Sequence, residues 1–527
     1  MEFQEGLTVG IDLGTTFSSV AFLNDEGLPV AVQDEEGEEG TPSVILLAES
    51  GRAVVGPNLV RAAMEDPKHV VSCVKRHMGE TEEEFQQSFD GRRVTPEFLS
   101  GLILKKLRQH AEKSLGPIGN AVITVPYHFN DLRRKATQDA AQIAGLNVID
   151  IINEPTAATL TYAWLHDQLA TDSEEHNEPR HVLVYDLGGG TFDVTVVRYT
   201  PTRFEVLATD GDVYLGGVDW NNRLLDYVAD QFVAEHGSDP RESAAATQLL
   251  RHQCDLAKIA LTDEQKTEIR CSFRRESSTV TVTRQKFEEL TADLVQRTID
   301  TVHLVLEQAQ ITAKELDNVV LVGGSTLMPM ISQRLQQEFS VQLYRDLSPY
   351  KAVAQGAAIH AAILESKFRG EESGLAQKLR TQLARIENVE VNSHGLGVVI
   401  LDPRTKQAAN YVMIPRNTRL PAEKRQSFVT TRDGQQRIRV QVIQGEAPDP
   451  QACAQIGEFF VTNLPAGLPK GSPIEVVYSF DASGRIHVRA EDKTGGAMET
   501  AQIKGTGALS VEKLDVLSHL ANEYQLD

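Results

Sequence analysis

Up to Leu364 the chain alternates between two textures. Short apolar runs such as Val9–Leu23 and Leu183–Val197 read as strands, whereas Phe98–Ser114 and Gln285–Ala309 place apolar residues at steps of three and four. Strand periods alternating with helix periods predict an α/β architecture. The next stretch, Glu365–Asn388, is polar and charged, yet Leu375, Leu379, Leu383 and Ile386 share one helical stripe, which predicts a connector carrying an amphipathic helix. From Val389 to Gly505, eight β-rich runs are separated by Pro, Gly, Asn and Asp turns, a pattern expected of an antiparallel β-sandwich. Ser510 can then cap a short helix with Leu514, Leu517 and Leu520 along one side. The boundaries are expected at 1–366 for the α/β region, 367–388 for the helix-prone linker, 389–506 for the sandwich and 507–527 for the last helix.

The α/β region contains a partial repeat. VGIDLGTTFSSVAFL at Val9–Leu23 and LVYDLGGGTFDVTVV at Leu183–Val197 share an apolar run, an Asp-Leu-Gly turn and a following strand, 174 residues apart. That spacing exceeds a solenoid period and suits one duplicated lobe. A third strand, ending in Leu321-Val-Gly-Gly-Ser-Thr326, again runs into glycines and hydroxyls.

Composition narrows the possible roles. The 527 residues carry 52 Lys+Arg against 74 Asp+Glu, a net charge of −22. Such a surface repels phosphate backbones and anionic lipid, so neither nucleic acid nor a membrane is an expected partner. No run approaches the roughly 18–20 apolar residues that span a bilayer, and the acidic start Met1-Glu2-Phe3-Gln4-Glu5 does not resemble a secretory signal. The four cysteines lie far apart without a C-x-x-C pair, which fits a reducing cytoplasm. The acidic run Asp34–Glu39 and the loop Asp172–Glu178 read as solvated turns, and His77, His128 and His394 as ordinary core or surface residues without metal spacing.

Glycine turns let backbone amides approach an anion closely. Gly14 in one turn and Gly188, Gly189 and Gly190 in the other, with the hydroxyls of Thr15, Thr16 and Thr191, are therefore candidate phosphate contacts. Asp12 and Asp186 precede the two turns and can hold a hydrated Mg²⁺ through waters, since that ion prefers oxygen and keeps several waters. Gly323, Gly324 and Ser325 are placed for a nucleoside.

The ordered set GIDLGTTFSSVA, VKRHMG, ITVPYHFND, INEPTAATLTY, VYDLGGGTFDVTVV, LGGVDW and LVGGSTLMPM resembles the DnaK-type, seventy-kilodalton heat-shock chaperones. The likeness continues through IPRNTRLP, VQVIQGE and GRIHVRAEDKTGG, and so covers essentially the whole chain. It implies an actin-like ATPase of duplicated α/β lobes, using ATP/ADP and Mg²⁺, followed by an antiparallel β-sandwich that binds extended apolar segments of unfolded polypeptide. By position, Lys75, Glu154, Asp186, Thr191 and Asp193 match the family's catalytic residues, and Asp12, Gly216, Gly217, Asp255, Lys258 and Thr262 join the nucleotide site. Pro126 and Arg134 match an interdomain relay, while Val398, Leu401, Phe428, Thr431, Ile438, Val440 and Val442 match the peptide channel. Alternating Phe428, Val440 and Val442 equally suit any sandwich core. J-domain co-chaperones and nucleotide exchange factors are the implied protein partners.

Several positions depart from the family. Leu327 replaces an arginine that flanks the adenine and Tyr350 replaces an aspartate, so Ile259 and Leu327 are expected to sandwich the purine with reduced affinity. The linker positions read Ile386-Glu387-Asn388-Val389-Glu390 after a longer insertion, and Asp150 stands where an arginine meets J-domains. Both weaken the expectation of interdomain coupling and J-domain docking. The last helix is expected as a lid remnant, with fast peptide release. Two rivals stand beside this reading: a weakly hydrolysing co-chaperone or holdase with uncoupled domains, and a sugar kinase, for which the appended sandwich has no use.

Overall fold

A computed structural model describes residues 2–34, 37–48, 51–56, 59, 68–81, 83–89, 92–166, 168–169, 178–462, 464–481, 485–494, 496, 498–502 and 509–526. Residues 35–36 of the acidic run, 172–177 of the solvated loop, and 503–508, where the sandwich is expected to end, lie outside the described residues.

The repeat becomes two sheets of matching design. In the first, strand Leu7–Asp12 pairs antiparallel with Phe17–Leu23 and parallel with Ile118–Val125. In the second, Arg180–Leu187 pairs antiparallel with Phe192–Thr200 and parallel with Asn318–Val322. Every residue of Ile118–Val125 is buried, as a strand covered on both faces requires. Helices Glu154–Leu165 and Ala352–Phe368 pack between the sheets, and Gly356 permits the approach: a Cβ there would stand 1.8 Å from the Ala157 carbonyl oxygen.

Part of the connector's amphipathic stripe forms helix Gln377–Leu383; Leu383, and Ile386 just beyond the helix, are buried in the core the two lobes share, with Leu375 and Leu379 at its edge. The chain then enters strand Glu387–Val389, which adds in parallel to the edge strand Arg203–Asp212. The atypical linker is therefore docked. Its polar residues do not prevent this, because an edge strand binds its partner through backbone groups.

Beyond the linker, two four-stranded antiparallel sheets face each other around Leu396, Val442, Ile456, Val461, Tyr478 and Ala490. This sandwich sits against the second lobe through Arg416–Asp210 at 2.8 Å and Arg419–Glu205 at 3.3 Å. Asn417 adds two bonds, accepting from the Thr209 amide and donating to Gln308.

Helix Val511–Glu523 is capped by Ser510, whose oxygen accepts from the Lys513 amide at 3.2 Å. It docks on the first lobe. Leu514, Leu517 and Ala521 are buried in the core of the first lobe with Phe98 and Leu102, and Lys105 Nζ donates to the Ala521 carbonyl at 2.7 Å. Gln525–Leu526 then pairs in parallel with Arg52–Val55. One apolar stripe plus a donor at the helix C-terminus is enough to fix a short helix on that surface.

Candidate functional site

The cleft between the two lobes has a volume of about 170 Å³. Its floor is set by strand register. Asp12 ends one central strand; Asp186 lies near the end of the other, directly across from Asp193 on the neighbouring strand. The two glycine turns approach each other closely: a Cβ on Gly189 would stand 2.4 Å from the Thr16 side chain, and one on Gly190 2.4 Å from that of Thr15. Thr191 is buried beside them.

Lys75 rides on a 3₁₀ turn, Val74–His77, and its ammonium donates to Glu154 Oε1 at 2.5 Å with both side chains buried. Glu154 is the first residue of its helix, where the backbone favours a negative charge. Burial alone would lower the Lys75 pKa, but Glu154, Asp12 and Asp186 outweigh it and hold the ammonium above the ordinary lysine value. Burial raises the Glu154 carboxyl, against the pull of Lys75. Asp186 is raised well above the usual range by burial and then by Glu154, Asp193 and Asp12. Asp193 is pushed up to about 7 by burial and Glu154, although the amides of His128 and Tyr127 oppose the shift. Asp12 accepts from Thr124 Oγ1 at 3.0 Å and is also raised by burial.

Four carboxylates crowd one lysine, so the cleft is electrostatically short of positive charge. Among the described residues no three His, Cys, Asp or Glu side chains converge closely enough to ligate an ion directly. That donor set fits a Mg²⁺ that keeps its waters and is held through them.

At the outer end, Asp255, Lys258, Ile259, Gly323, Gly324 and Ser325 line the cleft. Ser325 Oγ donates to the Gly188 carbonyl at 2.9 Å, and Lys258 pairs with Asp255 at 3.1 Å and donates to the Gly217 carbonyl. Gly216 opens the helix of Gly217, and its amide donates to Asp219 at 2.8 Å. Thr262 is not among the lining residues; its hydroxyl turns back to the Lys258 carbonyl. Leu327 also departs from expectation. It lines a neighbouring cavity, because the turn Gly324–Leu327 carries it away, and the cleft instead presents Tyr350 and Phe17, whose rings meet edge to face at 5.9 Å.

Two further residues escape a reading of the sequence. Arg76 is locally just a neighbour of Lys75, yet its Nε donates to the Gly190 carbonyl at 2.8 Å and its Nη2 to Asp219 at 2.5 Å, tying the lobes together. Tyr127, inside the ITVPYHFND motif, lies fully buried between Asp193 and the linker. No local pattern could mark its partner, which is 263 residues away. Of the two expected relay residues, Pro126 immediately precedes Tyr127, and Arg134 donates to the carbonyl of Phe129 and to the side chain of Asn153.

In the sandwich the expected channel residues divide. Val398, Val440 and Val442 are buried in the sandwich core; Phe428 and Ile438 are half-buried; Leu401 and Thr431 are exposed. The antiparallel register, with Leu396 opposite Gln444 and Val398 opposite Val442, directs Leu401 toward the Ile438 end of the neighbouring strand. Phe428 packs edge to face with Tyr411 at 5.4 Å.

Asp150 pairs with His360 at 2.8 Å, and the other ring nitrogen of His360 meets the Asn388 amide of the linker at 3.1 Å. These residues line a second cavity of about 330 Å³ where strand Asn147–Asn153 and helix Ala352–Phe368 meet the linker and the sandwich, with Arg134, Glu390 and Leu420.

Two matched α/β lobes close on a cleft of glycine turns and carboxylates, and a β-sandwich follows a linker docked on the second lobe, which defines a two-module protein of lobed α/β and β-sandwich parts. The family model "Hsp70 protein" matches residues 8–527. The proteins named "Chaperone protein DnaK" from Thermotoga neapolitana, Thermotoga petrophila and Thermotoga maritima are each 36% identical over 534 residues, spanning the whole of this chain and 85% of theirs. The chain belongs to the Hsp70 family of chaperones.

Proposed function

We propose that the protein is a cytoplasmic, ATP-dependent chaperone whose sandwich binds extended apolar peptide segments with an affinity set by the nucleotide in the cleft. The observation that carries this reading is the Lys75–Glu154 pair facing Asp12 and Asp186 between two glycine turns, with Asp193 buried directly across from Asp186 behind the cleft wall. Phosphoryl transfer needs positioning and charge neutralisation more than covalent help. Amides of the glycine turns and the hydroxyls of Thr15, Thr16 and Thr191 cradle the phosphates, and Lys75 neutralises the γ-phosphate. Asp12 and Asp186 would hold a Mg²⁺ through its waters, and that ion would supply the remaining positive charge. Asp193, raised by burial to about 7, orients the attacking water and accepts its proton, while Glu154 holds the Lys75 ammonium in place. Asp255, Lys258 and Ser325 hold the nucleoside, with Ile259, Phe17 and Tyr350 beside the base.

Peptide lies over Leu401, Thr431 and Ile438, with Phe428 beside them, while Val398, Val440 and Val442 support the groove from the core. The docked linker favours coupled domains over an uncoupled holdase. A J-domain co-chaperone and an exchange factor are the protein partners expected of such a cycle, with Asp150 altering the J-domain contact.

The test is the release rate of a fluorescent leucine-rich peptide with ADP and with ATP. ATP should speed release severalfold. Lys75→Ala should keep that acceleration while hydrolysis falls by about 10²–10³-fold, the usual loss when one charge-stabilising group is removed. Equal release with either nucleotide would reject the coupled cycle.

A further inference from the structure

Pro126–Phe129 is a closed turn, with the Phe129 amide donating to the Pro126 carbonyl at 3.1 Å. Its two central amides both point at Asp193: Tyr127 N–H reaches Oδ2 at 3.0 Å and His128 N–H reaches Oδ1 at 3.3 Å. One residue of this turn also extends to the linker. The Tyr127 ring is fully buried, and its hydroxyl lies 2.7 Å from Glu390 Oε2 and 2.9 Å from the Val391 carbonyl. The same oxygen accepts from the Val391 amide at 3.0 Å. Glu390 is fixed further by Asn153, at 3.1 Å, and by Thr156 Oγ1, at 2.9 Å. Both lie where strand Asn147–Asn153 runs into the helix opened by Glu154.

From this geometry, and resting on the coupled reading above, we propose that Tyr127 is a positioning residue joining linker docking to the placement of Asp193. Its backbone amide, with that of His128, holds the Asp193 carboxylate; among the described residues its hydroxyl is satisfied only by the docked linker. When Glu390 and Val391 leave, a buried phenol is stranded without partners, which is costly enough that the ring must move. The ring cannot move without disturbing the turn whose amides clamp Asp193. Movement of Asp193 acts on the linker by the same path, since coupling of this kind is reciprocal. The pKa of the phenol lies well above the ordinary tyrosine value, through burial first and then Glu390, so the hydroxyl remains a donor across the working pH range.

Tyr127→Phe deletes the hydroxyl and leaves the ring, its volume and the turn amides in place. Single-turnover hydrolysis by the full chain is measured with and without a leucine-rich peptide, together with KM for Mg-ATP. The wild type should respond to peptide severalfold. In Tyr127→Phe the ratio of rates with and without peptide should collapse toward unity, while KM stays within about twofold, a split that a general packing defect would not produce. Glu390→Ala removes the same bond from the linker side together with those to Asn153 and Thr156, so its loss should be at least as large, and adding Tyr127→Phe to it should lose nothing further. Preserved peptide response in Tyr127→Phe, or additive losses in the double variant, would overturn the role of Tyr127 alone. A wild type indifferent to peptide would sink the coupled reading and Tyr127 with it.

Discussion

At the scale of single side chains, burial decides which groups matter. His128 and His394 read in the sequence as unremarkable histidines, yet their rings lie 4.4 Å apart where the first lobe meets the sandwich. Both are held below the ordinary histidine value by burial, His394 to about 3 with added repulsion from His128, Arg134, Arg416 and Arg133. Asp210 and Asp212 face His128 and oppose the shift only in part, and Arg416 and Arg133 reinforce it. Docking therefore favours the neutral pair. Stability of the docked arrangement is complete above the free histidine pKa of about 6.5 and is lost as pH falls below it toward the docked value. Lowering the pH from 7.5 to 5 should weaken docking on the order of tenfold, read as falling energy transfer between dyes on the sandwich and the first lobe. His394→Leu should flatten that profile. An unchanged profile would place the pH response elsewhere. The residues of the cleft were legible because they sit in dense local motifs; the histidine pair was not, because its two members are separated by about half the chain and meet only through docking.

At the scale of elements, the linker is the instructive case. Leu375, Leu379, Leu383 and Ile386 announce an amphipathic helix in the sequence, and the helix forms. The next three residues, Glu387-Asn388-Val389, have no apolar alternation to predict a strand. They become one because Arg203–Asp212 presents an open edge and the Glu387 amide donates to the Thr202 carbonyl at 2.8 Å. Glu387→Pro deletes that donor. A net backbone bond is worth about 1 kcal/mol, and proline also restrains the residue before it. ATP-triggered peptide release should slow severalfold in this variant while hydrolysis without peptide continues. Release at the wild-type rate would mean that strand pairing is dispensable for coupling. The same distinction applies in the sandwich: alternation identifies its strands, but which of Val398, Val440 and Val442 face the core is settled only when two sheets close on each other.

At the scale of the whole molecule, the last helix binds the chain's end to its beginning. Leu514, Leu517 and Ala521 complete the core of the first lobe, and Gln525–Leu526 extends the small sheet of Arg52–Val55. Leu514→Ala should cost the helix about 2–3 kcal/mol of docking, within the usual range for a buried leucine. The sensitive readout is hydrogen exchange in Arg52–Val55, where protection should drop while that of Ile118–Val125 is kept. Undiminished protection would show that the strand pair holds without the helix. The sequence by itself determined the local matters: two α/β lobes, a helix in the connector, a sandwich, and the glycine and carboxylate turns of the cleft. Periodicity and turn chemistry are properties of neighbouring residues, so they survive without knowledge of the fold. Only the tertiary structure decided that Leu327 leaves the cleft while Tyr350 enters it, that the final helix docks on the first lobe, and that the Tyr127 hydroxyl rests on Glu390. Those outcomes depend on which buried surfaces and unpaired polar groups meet across hundreds of residues, and that is a property of packing rather than of any stretch of chain.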